Sequence, residues 1–352
     1  MTRRATGRQL LAGLTVLLIS AGCADGASPA LVPAATPGPT TTPASTPTAP
    51  PASQAPTIGL PADDGARIIA VETNPLYGPV PVTRARDITI DSPAVGIVQV
   101  QLLLPGRFDA DPETRWPVLY VLGGASGTHL SWTQQTDIEA LTAPANLLVV
   151  IPDVGAEIGG GWYSDWWNGG KGGPPMWETF HVVELPQLLE RNWHAGDKRA
   201  IEGPSMGGVG AIGYAERHPG MFLFAGSWSA PLDLFFSIEW MTVPFELWGD
   251  RVAQADVWRA HDPMTNAAAL RGTTLYVAYG NGELGPFDSG PDNPFGPGER
   301  VYGIESAAFV QRLAELNIPV TVYAYGPGTH TTPYIVRDLH ESFPLVLKAL
   351  GL

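Results

Sequence analysis

The 352-residue chain carries 34 acidic against 20 basic residues, a formal net charge of −14, and 44% of it is hydrophobic. This balance argues against nucleic acid or an anionic membrane surface as a partner, and the length allows a sizeable packed core. A single cysteine excludes an intrachain disulfide and a cysteine-based metal site.

The chain opens with Arg3, Arg4 and Arg8, an apolar run from Leu10 to Ile19, and then Ser20-Ala21-Gly22-Cys23. A basic flank, a short apolar core and a small-residue exit read as a lipoprotein-type export signal over residues 1–23. The run is too short to span a bilayer. Cys23 predicts lipid attachment after cleavage, with ordinary signal cleavage near the same place as the alternative, since Ser20 stands where bacterial lipoboxes usually carry leucine. Residues 24–56 collapse to Pro, Ala, Thr and Ser, a composition that cannot bury enough apolar surface to offset ordering entropy. They read as a tether. Residues 57–352 are long enough for one large α/β domain. The expected location is the outer face of the cell membrane or the cell envelope, otherwise secreted, with membrane contact only through the lipid anchor.

Within that domain, "RDITIDS" (86–92) and "GIVQVQLLLP" (96–105) alternate apolar with polar residues and predict a hairpin at a sheet edge. "VLYVLGG", "NLLVVIPD", "TLYVAYGNG" and "VTVYAYGPG" are short continuous apolar runs ending in glycine or proline, the pattern of strands buried on both faces of a mostly parallel sheet. Helical patterns lie between them. "WETFHVVELPQLLERNW" holds Pro186, which should kink or restart the helix, and "ESAAFVQRLAELN" sets Phe309, Leu313 and Leu316 on one face. Alternating strands and helices predict a doubly wound sheet flanked by helices, the α/β class of the α/β-hydrolase fold.

Gly203-Pro204-Ser205-Met206-Gly207 matches Gly-x-Ser-x-Gly, a pattern that a chain with 41 glycines can meet by chance. Context decides. "KRAIEG" before it reads as a strand and "MGGVGAIGYAERH" after it as a helix ended by Pro219 and Gly220, the strand–turn–helix that a nucleophile elbow requires. Ser205 is then the candidate nucleophile, and the Met206 N–H faces a developing oxyanion.

A nucleophilic serine needs a base. In this class of fold the chain order is nucleophile, acid, histidine, which removes His129, His181 and His194. His218 ends the elbow helix, His261 precedes the strand leading to the acid, and His340 lies inside a helix. His330, in "YAYGPGTHTT", follows a strand and a glycine-rich turn and is the candidate base. For the acid, the segment after "TLYVAYG" offers Glu283, Asp288, Asp292, Glu299 and Glu305. Glu305 reads as a first-turn helix residue, favoured there by the helix dipole, and Glu299 as a loop residue free to reach a histidine. "DSGPDN" lacks the spacing of a calcium loop and reads as a solvated turn. No metal or organic cofactor is required.

"GWYSDWWNGG", "MWETFHVVELPQLLERNW", "GPSMGG", "HPGMFLFAGSWSAPLDL", "WRAHDPMTNAAALRGTTLYVAYGNG" and "GTH" together resemble the antigen 85 mycolyltransferases, within the esterase D-like family of α/β-hydrolases. The likeness runs from about Arg86 to the C-terminus. It implies a secreted serine enzyme that takes an acyl group from an ester or glycolipid donor and passes it to a carbohydrate hydroxyl or to water. The family's serine and histidine map to Ser205 and His330. Its acid, just ahead of the helix carrying "AAFVQRL", matches Glu299 better than Glu305, and its second oxyanion donor falls on the Ala125 N–H. Where the family carries Asp-Gly-Leu-Arg to grip trehalose, this chain has Gly123 to Ser126, so both polar grips are gone. Trp132 and Trp166, with Trp162, Tyr163 and Trp167, are candidates to line the approach, against the alternative that they pack a loop on the sheet. Asp165 precedes the nucleophile and reads as a hydrogen-bonding anchor. Two rivals stand beside acyl transfer: a plain carboxylesterase, and a non-catalytic envelope or carbohydrate-binding protein.

Overall fold

The computed structural model describes residues 58–73, 84–237, 243–290 and 296–352. The expected export signal, Cys23, the tether and Asp292 lie outside the described residues.

Nine strands form one sheet in the order β1-β2-β3-β5-β4-β6-β7-β8-β9. They are β1 Arg67–Thr73, β2 Ala85–Ser92, β3 Gly96–Leu103, β4 Trp116–Val121, β5 Leu148–Pro152, β6 Ala195–Pro204, β7 Phe224–Trp228, β8 Thr274–Gly280 and β9 Thr321–Gly326. The first three pair antiparallel and β3 is antiparallel to β5; from β5 to β9 every pairing is parallel. The hairpin β2–β3 forms from its alternating pattern, but β1 pairs outside it, so the hairpin is not the sheet edge. The apolar runs give β4, β5 and β8 as central strands; β7, which those runs leave out, lies among them, and every residue of β5 and β7 is buried. β9 differs. It is the other edge, with Thr321 and Val322 exposed, because no further strand covers it.

Two apolar layers close on the sheet. On one face, Val209 and Ile212 of the elbow helix Met206–Arg217 and Phe309 and Leu313 of the helix Gly296–Glu315 join one core. On the other, Leu339, Phe343, Val346 and Leu350 of the C-terminal helix Thr332–Leu350 pack on Ala200, Phe224 and Tyr276. Side chains repeating every three or four residues reach the sheet from one helix face. Pro186 acts as its sequence demands: the helical path widens into a π turn over Phe180–Glu184 and restarts as Leu185–Asn192, with the proline in its first turn.

The helix Gly296–Glu315 begins earlier than its apolar stripe indicates. Glu299, expected in a loop, lies in its first turn, and Glu305, expected in the first turn, lies well inside it. Gly-Pro-Gly at 296–298 reads as a loop in sequence, yet a proline near a helix start loses no needed N–H.

Candidate active site

β6 ends at Pro204 and the elbow helix starts at Met206, leaving Ser205 to make the turn with φ 55° and ψ −128°. A positive φ is costly for an L-residue, on the order of 1–3 kcal/mol, and persists only where the surroundings enforce it. Here the Ser205 N–H donates to the Trp228 carbonyl at 2.8 Å, and the Ser205 carbonyl accepts from Gly208 and Val209 at 2.9 and 3.2 Å. The glycines are steric necessities. A Cβ at Gly203 would stand 2.8 Å from the Leu122 carbonyl oxygen, and one at Gly207 2.8 Å from that of Gly123. The elbow therefore sits hard against the end of β4.

The loop after β4 leans over Ser205: a Cβ on Gly124 would lie 3.6 Å from the serine Cβ. Met206 and Ala125 meet beside Gly160, whose Cβ would fall 2.6 Å from Met206 Sδ and 3.5 Å from Ala125 Cα. Among the described residues neither Met206 nor Ala125 donates its N–H to a backbone carbonyl.

Across the carboxyl end of the sheet, His330 follows β9, and its Nδ1 lies 2.9 Å from Glu299 Oε2. A carboxylate partner places the proton on Nδ1 and leaves Nε2 as the acceptor. Glu299 is fully buried. Its other oxygen, Oε1, accepts from the Gly280 N–H and the Ser229 hydroxyl, both at 2.7 Å, and from the Tyr325 hydroxyl at 3.2 Å. Those donors occupy the lone pairs of a carboxylate that water cannot reach. Tyr302 sets its ring edgewise to His330, centroids 5.1 Å apart. Among the described residues no hydrogen bond joins Ser205 Oγ to His330. The two halves are tied by one dipeptide instead: Trp228 holds Ser205 through its carbonyl, and Ser229, itself at φ 48°, holds Glu299 through its hydroxyl.

The remaining candidates fall elsewhere. Glu305 is buried and its Oε2 accepts from the Asp233 N–H at 3.3 Å, away from His330. Asp288 staples two loops, accepting from the Gly285 N–H and the Tyr334 hydroxyl at 2.7 Å each and from the Thr329 hydroxyl. Burial pushes its carboxyl up, but those three donors outweigh it and hold it below the usual carboxylate range. Glu283 accepts from Asn281 in an exposed turn. Among the described residues no group of acidic, histidine or cysteine side chains has the arrangement of a metal site.

Burial drives His129 and His261 down to about 4 and His181 to about 3, so all three are neutral structural imidazoles. His218 pairs with Glu178 at 2.7 Å and His340 with Asp137 at 2.9 Å. Trp132 is 4% and Trp166 8% exposed; Trp132 stands edge-on to Trp228 and Trp166 donates to the Gly161 carbonyl. Neither offers an open ring face to a substrate; both pack as the alternative reading has it. Asp165 anchors Thr179 through its N–H and hydroxyl at 2.9 and 2.6 Å.

Sequence reading missed Ser229, Tyr325 and Glu202. Glu202, three residues before Ser205, has no exposed surface, and burial, only partly offset by the Ser342 hydroxyl, pushes its carboxyl up to about 8. Gly226 beside it on β7 makes the room: a Cβ there would lie 3.1 Å from Glu202 Oε2. The Glu in "AIEGPS" was legible as a charged residue in a buried strand, the one hint that sequence gave. Ser229 and Tyr325 carry no such mark.

A mostly parallel sheet with helices on both faces, a serine forced through a left-handed turn between strand and helix, and a histidine in the loop after β9 paired with a carboxylate in the first turn of the helix after β8 define the α/β-hydrolase fold. The solved S-formylglutathione hydrolase from Agrobacterium tumefaciens superposes with a TM-score of 0.62 at 19% identity, over 81% of this chain and 99% of that one. The family model described as "Putative esterase" matches residues 96–317, and the chain belongs to that family. It is 33% identical over 261 residues to the diacylglycerol acyltransferase/mycolyltransferase Ag85A of Mycobacterium ulcerans, covering 67% of this chain and 74% of that protein. It is also 30% identical over 249 residues to Esterase Rv1288 of Mycobacterium tuberculosis, covering 66% of this chain. The chain matches 52% of the length of that esterase.

Proposed function

We propose that this protein is an exported serine acyl-transfer enzyme of the cell envelope. Ser205 attacks the carbonyl carbon of an ester or glycolipid donor while His330 Nε2 takes its proton; Glu299 orients the imidazole and stabilises the imidazolium. The N–H groups of Met206 and Ala125 stabilise the tetrahedral oxyanion. Collapse of that intermediate expels the donor's alcohol, which receives the proton from His330, and leaves an acyl-serine. A carbohydrate hydroxyl or water then attacks the acyl-serine with His330 again as base.

The observation that carries this reading is the contact of buried Glu299 with half-buried His330 at 2.9 Å, joined through Ser229 and Trp228 to the forced turn at Ser205. A binding protein has no use for a fully buried carboxylate held by three donors against an imidazole. In apo structures the serine–histidine bond is often loose and tightens on the substrate complex. The relatives' printed names, esterase and acyltransferase/mycolyltransferase, support both acceptors. Gly123 to Ser126 offers no charged grip for a polyol, which favours water or an acceptor held elsewhere.

The test is product analysis with p-nitrophenyl esters of increasing chain length, with and without sugars, beside Ser205→Ala. Serine-dependent acyl-sugar is the result expected of a transferase and serine-dependent free acid alone that of a carboxylesterase. No serine-dependent turnover of any ester would overturn the enzymatic reading.

A further inference from the structure

The C-terminal helix presents Arg337 to three tyrosines at once. Its guanidinium carbon lies 3.5 Å from the ring centre of Tyr325 and 5.1 Å from those of Tyr323 and Tyr334. Tyr325 and Tyr334 stack within 11° of parallel, centroids 5.6 Å apart. Asp338, 1% exposed, accepts from Arg337 Nη2 at 2.7 Å and from Nε at 3.1 Å and so fixes the guanidinium. A planar, weakly hydrated cation stacks on aromatic faces and gains most where water is thin.

One stacked tyrosine reaches the candidate catalytic pair directly and the other reaches the loop that carries His330. The Tyr325 hydroxyl donates to Glu299 Oε1 at 3.2 Å and lies 3.3 Å from the Ser229 hydroxyl. The Tyr334 hydroxyl donates to Asp288 Oδ2 at 2.7 Å, and Asp288 Oδ1 accepts from Thr329, the residue before His330. One guanidinium thus fixes the rings that reach the acid directly and the base's loop through Asp288. We propose that Arg337 is a positioning residue that sets the geometry of the Glu299–His330 pair through Tyr325 and Tyr334. The inference rests on the acyl-transfer reading of that pair.

Removing the Tyr325 hydroxyl leaves more of the Glu299 charge to face the imidazolium. His330 then holds its proton more tightly, and the acid limb of the kcat/KM profile moves to higher pH. Among the described residues, the charged and titratable groups around the pair are Arg337 and Asp338 of the C-terminal helix, Tyr325 of β9, Tyr302 of the Glu299 helix, and Asp288 with Tyr334 beside the His330 loop; Ser229 and the Gly280 N–H are neutral donors.

The experiment uses the full chain and a fluorophosphonate probe to count active serines, with Ser205→Ala as the blank, so that every rate is per titrated site. Arg337→Lys keeps the charge and loses the planar stack, and Tyr325→Phe removes one donor and keeps the ring. Each should lower kcat about tenfold with KM little changed, as expected when a reacting group is slightly misplaced. Each should also move the acid limb upward by several tenths of a pH unit to about one. The double variant should be little worse than Arg337→Lys alone, because the Tyr325 donor acts within the geometry that Arg337 sets. Wild-type kcat per site and an unmoved acid limb in Arg337→Lys, even with a lowered melting temperature, would overturn the proposal and leave Arg337 a merely structural residue. Absence of Ser205-dependent labelling in the unmutated chain would instead overturn the reading beneath it.

Discussion

The two halves of the candidate site are built by different physics. The nucleophile half is backbone packed on backbone: Gly203 and Gly207 touch the carbonyls of Leu122 and Gly123 so closely that no side chain fits, and the turn at Ser205 follows. The base–acid half is side chain on side chain. Its Glu299 carboxylate gathers donors from residues 19, 26 and 70 positions away, and His330 is 31 away. The difference teaches how each half should fail. Steric construction fails abruptly when a methyl is added, whereas a multiply held carboxylate should lose function in steps as donors are removed one at a time.

The largest effect belongs to the charge itself. Glu299→Gln, which keeps the shape but offers His330 the wrong partner, should lower kcat by about 10³ or more, whereas Glu305→Gln should leave kcat within a few-fold. Steady-state kinetics on one p-nitrophenyl ester separates the two, and mild effects from both would break the assignment of the acid. Next comes the steric half: Gly207→Ala should cost about 2 kcal/mol or more in urea unfolding and take activity with it, since the added Cβ meets backbone that cannot swing aside. A neutral Gly207→Ala would erase the contrast between the halves. Ser229→Ala removes one donor of four from Glu299 and should cost about tenfold in kcat with a smaller loss of stability. A loss as deep as that of Glu299→Gln would mean that this half, too, fails all at once.

The smallest effect sharpens the comparison from below the elbow. Burial raises Glu202 from 4.5 to about 8, so the folded state binds a proton that the unfolded chain has already lost. The stability this supports is fully present below pH 4.5 and is lost progressively as the pH rises towards about 8. Glu202→Gln, which cannot ionise, should melt close to the unmutated protein near pH 4.5 and several degrees above it near pH 8.5, by calorimetry at both pH values. Equal shifts at both would show that Glu202 acts by packing alone.

What the sequence determined by itself is what short stretches of chain encode. The continuous apolar runs became β4, β5 and β8, Pro186 reset its helix, and Gly-Pro-Ser-Met-Gly between a strand and a helix pattern became the turn at Ser205. His330 emerged by chain order, because in this architecture its loop must follow a late strand. A loop reading and resemblance both set Glu299 ahead of Glu305; the glycine–proline stretch before it hid the start of its helix, so the loop reading was wrong. The tryptophans illustrate the opposite limit: Trp132 and Trp166 look like a binding surface in sequence and are buried in the folded chain. Only the tertiary structure decided the partners of Glu299, the tyrosine cage around Arg337 and the buried Glu202. Turns and strands are fixed by sterics and patterning among neighbouring residues, which sequence displays. A hydrogen bond between Ser229 and Glu299 exists only once β7 and the helix beyond β8 have packed, and no local pattern records that meeting.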